Sequence, residues 1–327
     1  MDMTKRRIGI LTSGGDAPGM NAAIRCAVRV GCDLGMEVCG IERGYEGLLE
    51  GAITQLDRNS VADILHKGGT MLGTARSERF KTEEGLKRAA EILETFGIDA
   101  LIVIGGDGSL TGALELSKLG VTVVGIPGTI DNDLGYTDVT IGFDTAVTTC
   151  LEAIGKIRDT SSAHNRAFVI EVMGRNCGDI ALYAGLTGGA ECVLIPELPY
   201  DLNEICKGII QSANRGKQHH IIIKAEGVGI SASELAEEIE RRTGRETRIV
   251  VLSYLQRGGT PTARDRLIAT LMADKAVKVI ADSTDSGAAK AIGVVNGEIL
   301  AFDLEEALKV KGEPNTGIYD LIGVLAK

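Results

Sequence analysis

Residues 101–109 read LIVIGGDGS: four apolar residues run without interruption into a glycine-rich turn that carries one carboxylate, Asp107, and one hydroxyl, Ser109. A mostly apolar run of this length, without polar alternation, has the pattern of a buried parallel strand. Short, mostly apolar runs recur at 8–11, 121–126, 167–172, 192–195, 220–224 and 249–252. Between most of these runs lie amphipathic stretches of helical length, among them 81–96, 144–160 and 231–242. Strands and helices that alternate at this spacing predict βαβ units, hence an α/β fold with mostly parallel sheets. At 327 residues the chain is too long for one small core, so two domains or one large α/β unit are expected.

The totals narrow the function. A net charge of −10 argues against a general nucleic-acid role, which needs a positive field. The seven cysteines, at 26, 32, 39, 150, 177, 192 and 206, form no C-x-x-C pair. An odd count of this kind fits buried thiols in a reducing cytosol, so a cytoplasmic location is expected. The opening MDMTKRRIGILTSGGD has only a short apolar run before glycine and Asp16, which reads as neither a signal peptide nor a membrane span.

In open α/β sheets, ligands sit beyond the carboxyl ends of the strands. The segments that follow the apolar runs are TSGGDAPGMN (12–21), GGDGS (105–109), PGTIDND (127–133), MGRNCGD (173–179), AEGVG (225–229) and SYLQRGG (253–259). Each is rich in glycine, acid or arginine. One such loop is turn chemistry; six in corresponding positions outline a site.

Gly14–Gly15 and residues 105–109 can cradle phosphate, because glycine lets backbone N–H groups approach phosphate oxygens at a helix N-terminus. They can equally be tight strand-to-helix turns. There is no G-x-x-x-x-G-K-[ST], which excludes a P-loop, and no clean G-x-G-x-x-G follows the first strand. Asp107 beside phosphates calls for a cation, Mg²⁺, although an Asp there can also cap a helix. Asp131 offers a general base, and Asp133 can orient it or share the metal; either can be a turn former. Arg76, Arg166, Arg175, Arg248 and Arg257 lie near strand ends or glycine-rich segments and can neutralise phosphate charge. Arg25 and Arg29, four apart, make one basic helix face. His164, His219 and His220 have no ligand-like spacing with cysteine.

Taken together and in order, TSGGDAPGMNAAIR, GGDGS, PGTIDND, GFDTA, VMGR and LQRGGTPTARDR resemble the bacterial ATP-dependent 6-phosphofructokinase family, over essentially the whole chain. The resemblance implies two Rossmann-like three-layer αβα domains with the chain crossing between them: a nucleotide domain at 1–142 plus 257–306, and a sugar domain at 143–256 plus 307–327. It implies transfer of the γ-phosphoryl group of MgATP to the 1-hydroxyl of fructose 6-phosphate. Asp131 matches the base, with Thr129, Asp133, Arg76 and Arg175 beside it. Gly15, Tyr45, Arg76, Ser77, Gly106, Asp107, Gly108 and Ser109 match nucleotide positions, with Asp107 on Mg²⁺. Thr129, Ile130, Asp131, Met173, Gly174, Arg175 and Glu226 match sugar contacts, and Arg166, Arg248 and Arg257 match the 6-phosphate cluster. Tyr254 stands where the family usually has a histidine.

Arg25, Arg29, Arg58, Arg158, Gly189, Glu191, Arg215, Lys217 and His219 match an effector site for ADP and phosphoenolpyruvate. The resemblance also implies a homotetramer, with Arg166 and Arg248 reaching a neighbouring subunit's site. The alternative is a pyrophosphate-dependent phosphofructokinase. Those enzymes carry Asp and Lys where this chain has Gly108 and Gly128, so two glycines leaving room for the nucleoside favour ATP.

Overall fold

The computed structural model of the chain describes residues 6–164, 166–283 and 285–326. In chain order the elements begin with β1 (Arg7–Ser13), α1 (Met20–Asp33), β2 (Glu37–Ile41), α2 (Gly44–Glu50), β3 (Ile53–Leu56), α3 (Glu83–Thr95), β4 (Ala100–Gly105), α4 (Asp107–Ser117), β5 (Thr122–Thr129) and β6 (Ile141–Gly142). There follow α5 (Phe143–His164), β7 (Ala167–Val172), α6 (Asp179–Gly188), β8 (Cys192–Leu194), α7 (Leu202–Asn214), β9 (His220–Ala225), α8 (Ala232–Thr243) and β10 (Thr247–Val251). The chain ends with α9 (Ala263–Asp282), β11 (Ala289–Val295), β12 (Glu298–Asp303), α10 (Leu304–Lys309) and α11 (Thr316–Leu325). The expected α/β class holds, and every apolar run read from the sequence is a strand.

Two compact units divide the chain: Met1–Ile130, Leu134–Asp144 and Arg257–Gly312 form one, and Asp131–Asp133, Thr145–Gln256 and Glu313–Lys327 form the other. The first unit holds the sheet β12-β11-β5-β4-β1-β2-β3, with β6 added beside β5. Its centre is parallel, with Ser13 opposite Gly105 and Gly105 opposite Pro127. Among the described residues, the antiparallel pairs are the edge pairs β2–β3 and β11–β12. Strand β4 is buried along its length, as a strand covered by helices on both faces must be. Leu11, Leu101, Val103 and Val123 join a core with residues of α2, α3, α4 and α10. Ile8 faces the other way, toward Gly31 of α1. Residues 311–312 pack on this unit because their backbone lies directly against Gly135, where a Cβ would not fit.

The second unit carries the all-parallel sheet β10-β7-β9-β8. Gly185 of α6 lets that helix approach Val193 of β8, with Ile322 of α11 3.5 Å away. Ser231 and Glu234 form a reciprocal capping box at the start of α8, satisfying N–H groups that a helix terminus leaves without partners. Strand β10 departs from the buried pattern expected of 249–252: Ile249 and Val251 are exposed. It is an edge strand, so apolar composition there does not imply cover. All seven cysteines are free thiols. Among the described residues no helix is long and apolar enough to cross a membrane.

Candidate functional site

In the first unit the register of the parallel strands brings the glycine-rich loops together. Ser13 and Gly105 are paired at the ends of β1 and β4, so the loops that leave those strands start side by side. A Cβ at Gly105 would lie 2.6 Å from the Ser13 carbonyl oxygen, and one at Gly14 would lie 3.3 Å from Ser109 Oγ. Only glycine permits this approach. Gly15 lies against the Arg257 guanidinium, whose Nη1 donates to the Asp16 carbonyl at 3.4 Å. Gly106 precedes α4 and faces Thr129, 3.5 Å from a Cβ placed on it. Asp107 and Gly108 are exposed on the first turn of α4, at the positive end of the helix dipole. Gly15, Gly106, Asp107, Gly108, Ser109, Thr129 and Arg257 are therefore brought into one region.

Arg76 is exposed on the segment that follows. That segment is tied to the β1 loop: Thr74 Oγ1 donates to the Gly14 carbonyl at 2.8 Å, and Thr12 Oγ1 donates to the Gly73 carbonyl at 2.8 Å. The Asn21 side chain, 3% exposed, donates to the Lys67 and Gly68 carbonyls and accepts from Met71 N. Ser77 Oγ accepts from Phe80 N at 3.1 Å, and its hydroxyl holds the Glu46 carboxyl below the usual carboxylate range, with Arg79 adding to the effect.

Two of the expected contact residues have buried side chains. Tyr45 is 5% exposed, stacked on Phe80 at 3.8 Å, and donates its hydroxyl to the Ser109 carbonyl at 2.6 Å. It supports the phosphate-type loop from within the core. Ile130 is 0% exposed, with its side chain in the core. The steric reading of the two glycines also divides. A Cβ at Gly108 meets nothing within 4 Å, whereas one at Gly128 would lie 2.9 Å from Ile104 Cγ2 and 3.1 Å from Met20 Cε. Gly128 is glycine for packing.

In the second unit the loops carry strain at non-glycine positions. Asn132, Arg175 and Ser253 have φ of 54°, 56° and 42°. A left-handed backbone costs an L-residue roughly 1–2 kcal/mol and collects at sites that the surroundings hold in place. Asp131 is 8% exposed; Asn132, between it and Asp133, donates Nδ2 to Asp179 Oδ2 at 2.8 Å. Arg175 N donates to Glu226 Oε1 at 2.9 Å, which joins the loop after β7 to the loop after β9. Gln256, 0% exposed, accepts from Met173 N at 3.2 Å and from Cys150 Sγ at 3.3 Å. The sequence reading passed over Gln256 and Asn132, although both stand inside the quoted motifs.

Arg166 and Arg248 share Glu246: Arg166 Nε meets Glu246 Oε2 at 2.6 Å, and Arg248 pairs with the other oxygen. Both belong to the second unit and Arg257 to the first. Tyr254 is 78% exposed. The remaining basic residues fall into two groups. In the first unit Arg29 donates to the Arg58 carbonyl at 3.4 Å, Arg58 pairs with Asp33 at 2.7 Å, and Arg25 lies on the same helix as Arg29. In the second, Arg158 donates to the Gly189 carbonyl at 3.0 Å and Lys217 pairs with Glu191 at 2.6 Å. Burial lowers the His219 pKa; the Glu191 charge opposes this, and the charges of Arg158 and Lys217 add to it. Arg215 caps the end of α7 and is exposed. Among the described residues no three His, Cys, Asp or Glu side chains gather to hold a metal.

This is an α/β protein whose glycine-, acid- and arginine-bearing loops stand at the carboxyl ends of parallel strands, where such folds take their ligands. The phosphofructokinase family profile matches residues 7–280. An ATP-dependent 6-phosphofructokinase of Clostridium tetani (strain Massachusetts / E88) is 56% identical over 321 residues, 98% of this chain and 99% of the relative. The solved phosphofructokinase of Saccharomyces cerevisiae superposes with a TM-score of 0.89 at 37% identity, and that of Pichia pastoris in the T-state with 0.93 at 33%. This chain is covered to 98% and 100% in those two superpositions but spans only 48% and 40% of the two yeast chains. The chain belongs to the phosphofructokinase family.

Proposed function

We propose that this chain transfers the γ-phosphoryl group of ATP to the 1-hydroxyl of fructose 6-phosphate, giving fructose 1,6-bisphosphate and ADP. The convergence of the Gly14–Gly15 and 106–109 loops at the paired ends of β1 and β4 carries the reading. Backbone N–H groups there can hold a polyphosphate, with Arg76 exposed on the segment tied to them.

Asp131 takes the proton of the 1-hydroxyl as its oxygen bonds to the γ-phosphorus and the bond to the β–γ bridging oxygen breaks. Asp133 and Thr129 orient the acceptor end, and Arg76 and Arg175 offset the negative charge of the transferring group. Asp107 suits Mg²⁺ that arrives with the nucleotide: it is a single exposed carboxylate beside the open space at Gly108. When bound, that ion supplies neutralisation of phosphate charge. Met173, Gly174 and Glu226 contact the sugar. Arg166, Arg248, Arg257 and Tyr254 take the 6-phosphate, with the first two serving a neighbouring subunit of a homotetramer. The first unit is the nucleotide domain and the second the sugar domain. The two basic groups, with Arg215 and His219, serve ADP and phosphoenolpyruvate as effectors. The enzyme works in the cytoplasm.

The test mixes purified protein with fructose 6-phosphate, Mg²⁺ and either ATP or pyrophosphate, and measures fructose 1,6-bisphosphate. Product with ATP alone is expected, and product mainly with pyrophosphate overturns the donor assignment. Asp131→Ser should lower kcat by orders of magnitude with ATP binding retained; a near-normal rate removes Asp131 as the base.

A further inference from the structure

We infer that Asp179 is a positioning residue for the phosphoryl transfer, acting through its hydrogen bond to Asn132 to hold the turn that separates Asp131 from Asp133. The inference rests on Asp131 being the base. Three observations meet at this point. Asn132 has a φ of 54°, a conformation that an L-residue adopts at a cost and that asparagine tolerates better than most. Its Nδ2 donates to Asp179 Oδ2 at 2.8 Å, across 47 residues of sequence. The Cys177 thiol approaches the Asn132 carbonyl at 3.9 Å, so both ends of the residue meet the stretch 177–179 where α6 begins.

Asparagine is the side chain that meets both requirements. Glycine would accept the backbone but offers no donor. Aspartate would tolerate the backbone but would set a second carboxylate 2.8 Å from that of Asp179, with Asp131 and Asp133 on either side. Asp179 is itself held in place. It begins α6, whose N-terminal dipole favours a negative charge. The residue before it, Gly178, donates its N–H to Glu197 Oε1 at 2.7 Å. Burial pushes the Asp179 carboxyl above its usual pKa and the Glu197 charge adds to this, while the Asn132 hydrogen bond acts in the opposite direction. The amide of Asn132 thus helps keep Asp179 ionised, and Asp179 keeps the turn in its left-handed form.

A base displaced by about an ångström loses up to about a hundredfold in rate. Asp179→Ala should therefore lower kcat by roughly 10- to 100-fold with the KM for ATP within about threefold of wild type. Asp179→Asn keeps an oxygen that can accept from Nδ2 and should recover most of the loss. Asn132→Gly, free to adopt the left-handed backbone, should lose less than Asn132→Ala. The decisive measurement is the double variant Asp131→Ser/Asp179→Ala. If Asp179 acts through the base, the double variant is no slower than Asp131→Ser alone; a further multiplicative loss assigns Asp179 to general structure and overturns the inference. A kcat for Asp179→Ala within twofold of wild type, alongside an inactive Asp131→Ser, overturns it as well while leaving the base assignment intact. An active Asp131→Ser removes the base and the inference together.

Discussion

Lys224 is one of the largest fully buried side chains of the protein, and it is charged. It stands on β9 opposite Glu171 of β7 in the parallel register, and its Nζ meets Glu171 Oε2 at 2.9 Å and the Ala225 carbonyl at 3.1 Å. Lys224→Met keeps the length of the side chain and removes the ammonium. Glu171 then loses its counter-charge, and the Ala225 carbonyl loses a donor. Removing one partner of a fully buried pair costs about 3–5 kcal/mol. The Lys224 side chain is 1% exposed but that of Glu171 is 22% exposed, so water relieves part of the loss. The expected cost falls to about 2–3 kcal/mol.

That energy should register where β7 and β9 pair. Hydrogen exchange of amides 169–172 and 222–225 should accelerate by roughly 30- to 150-fold, since about 1.4 kcal/mol is a factor of ten. The double variant Lys224→Met/Glu171→Gln should return most of the protection, because no uncompensated charge remains. A change below threefold in the single variant would refute the reasoning and place the pair among ion pairs that water already screens.

The imidazole of His220 is 0% exposed, with Nε2 3.0 Å from the Ile209 carbonyl and 3.2 Å from Ser212 Oγ. Burial lowers its pKa to about 4, with the charge of Arg245 adding to the effect. The unfolded chain, with a pKa near 6.5, binds the proton first, so this contribution is present above pH 6.5 and is lost as pH falls from 6.5 toward 4. Between pH 7 and pH 5 it should amount to about 2 kcal/mol, seen as a steeper loss of stability in wild type than in His220→Gln; equal slopes would sink the assignment. Gly128→Ala should lower stability by about 1–3 kcal/mol through overpacking against Ile104 and Met20. Gly108→Ala should leave the melting temperature unchanged and act on the KM for ATP, which calorimetry and initial rates separate.

The α/β class was legible in the sequence because short, mostly apolar runs such as 101–104 alternate with amphipathic stretches of helical length, and six more runs repeat the spacing. The loop positions followed, because a parallel sheet aims the residues after every strand at the same edge. The edge role of β10 was not legible: Ile249 and Val251 are as apolar as the residues of β4, and exposure depends on which neighbours a strand receives. Ile130 lies between Thr129 and Asp131 in sequence and Tyr45 was expected beside the nucleotide, yet both side chains are buried, because which way a side chain points is set by packing.

 Met173 N reaches Gln256 over 83 residues, and Asn132 reaches Asp179 over 47. Local pattern carries the chemistry of a residue and its period, and so it determined the strands, the loops and the acids. Distance between residues far apart in the chain exists only after folding, so the close glycine contacts, the Asn132 turn and the Lys224–Glu171 pair were decided by the tertiary structure.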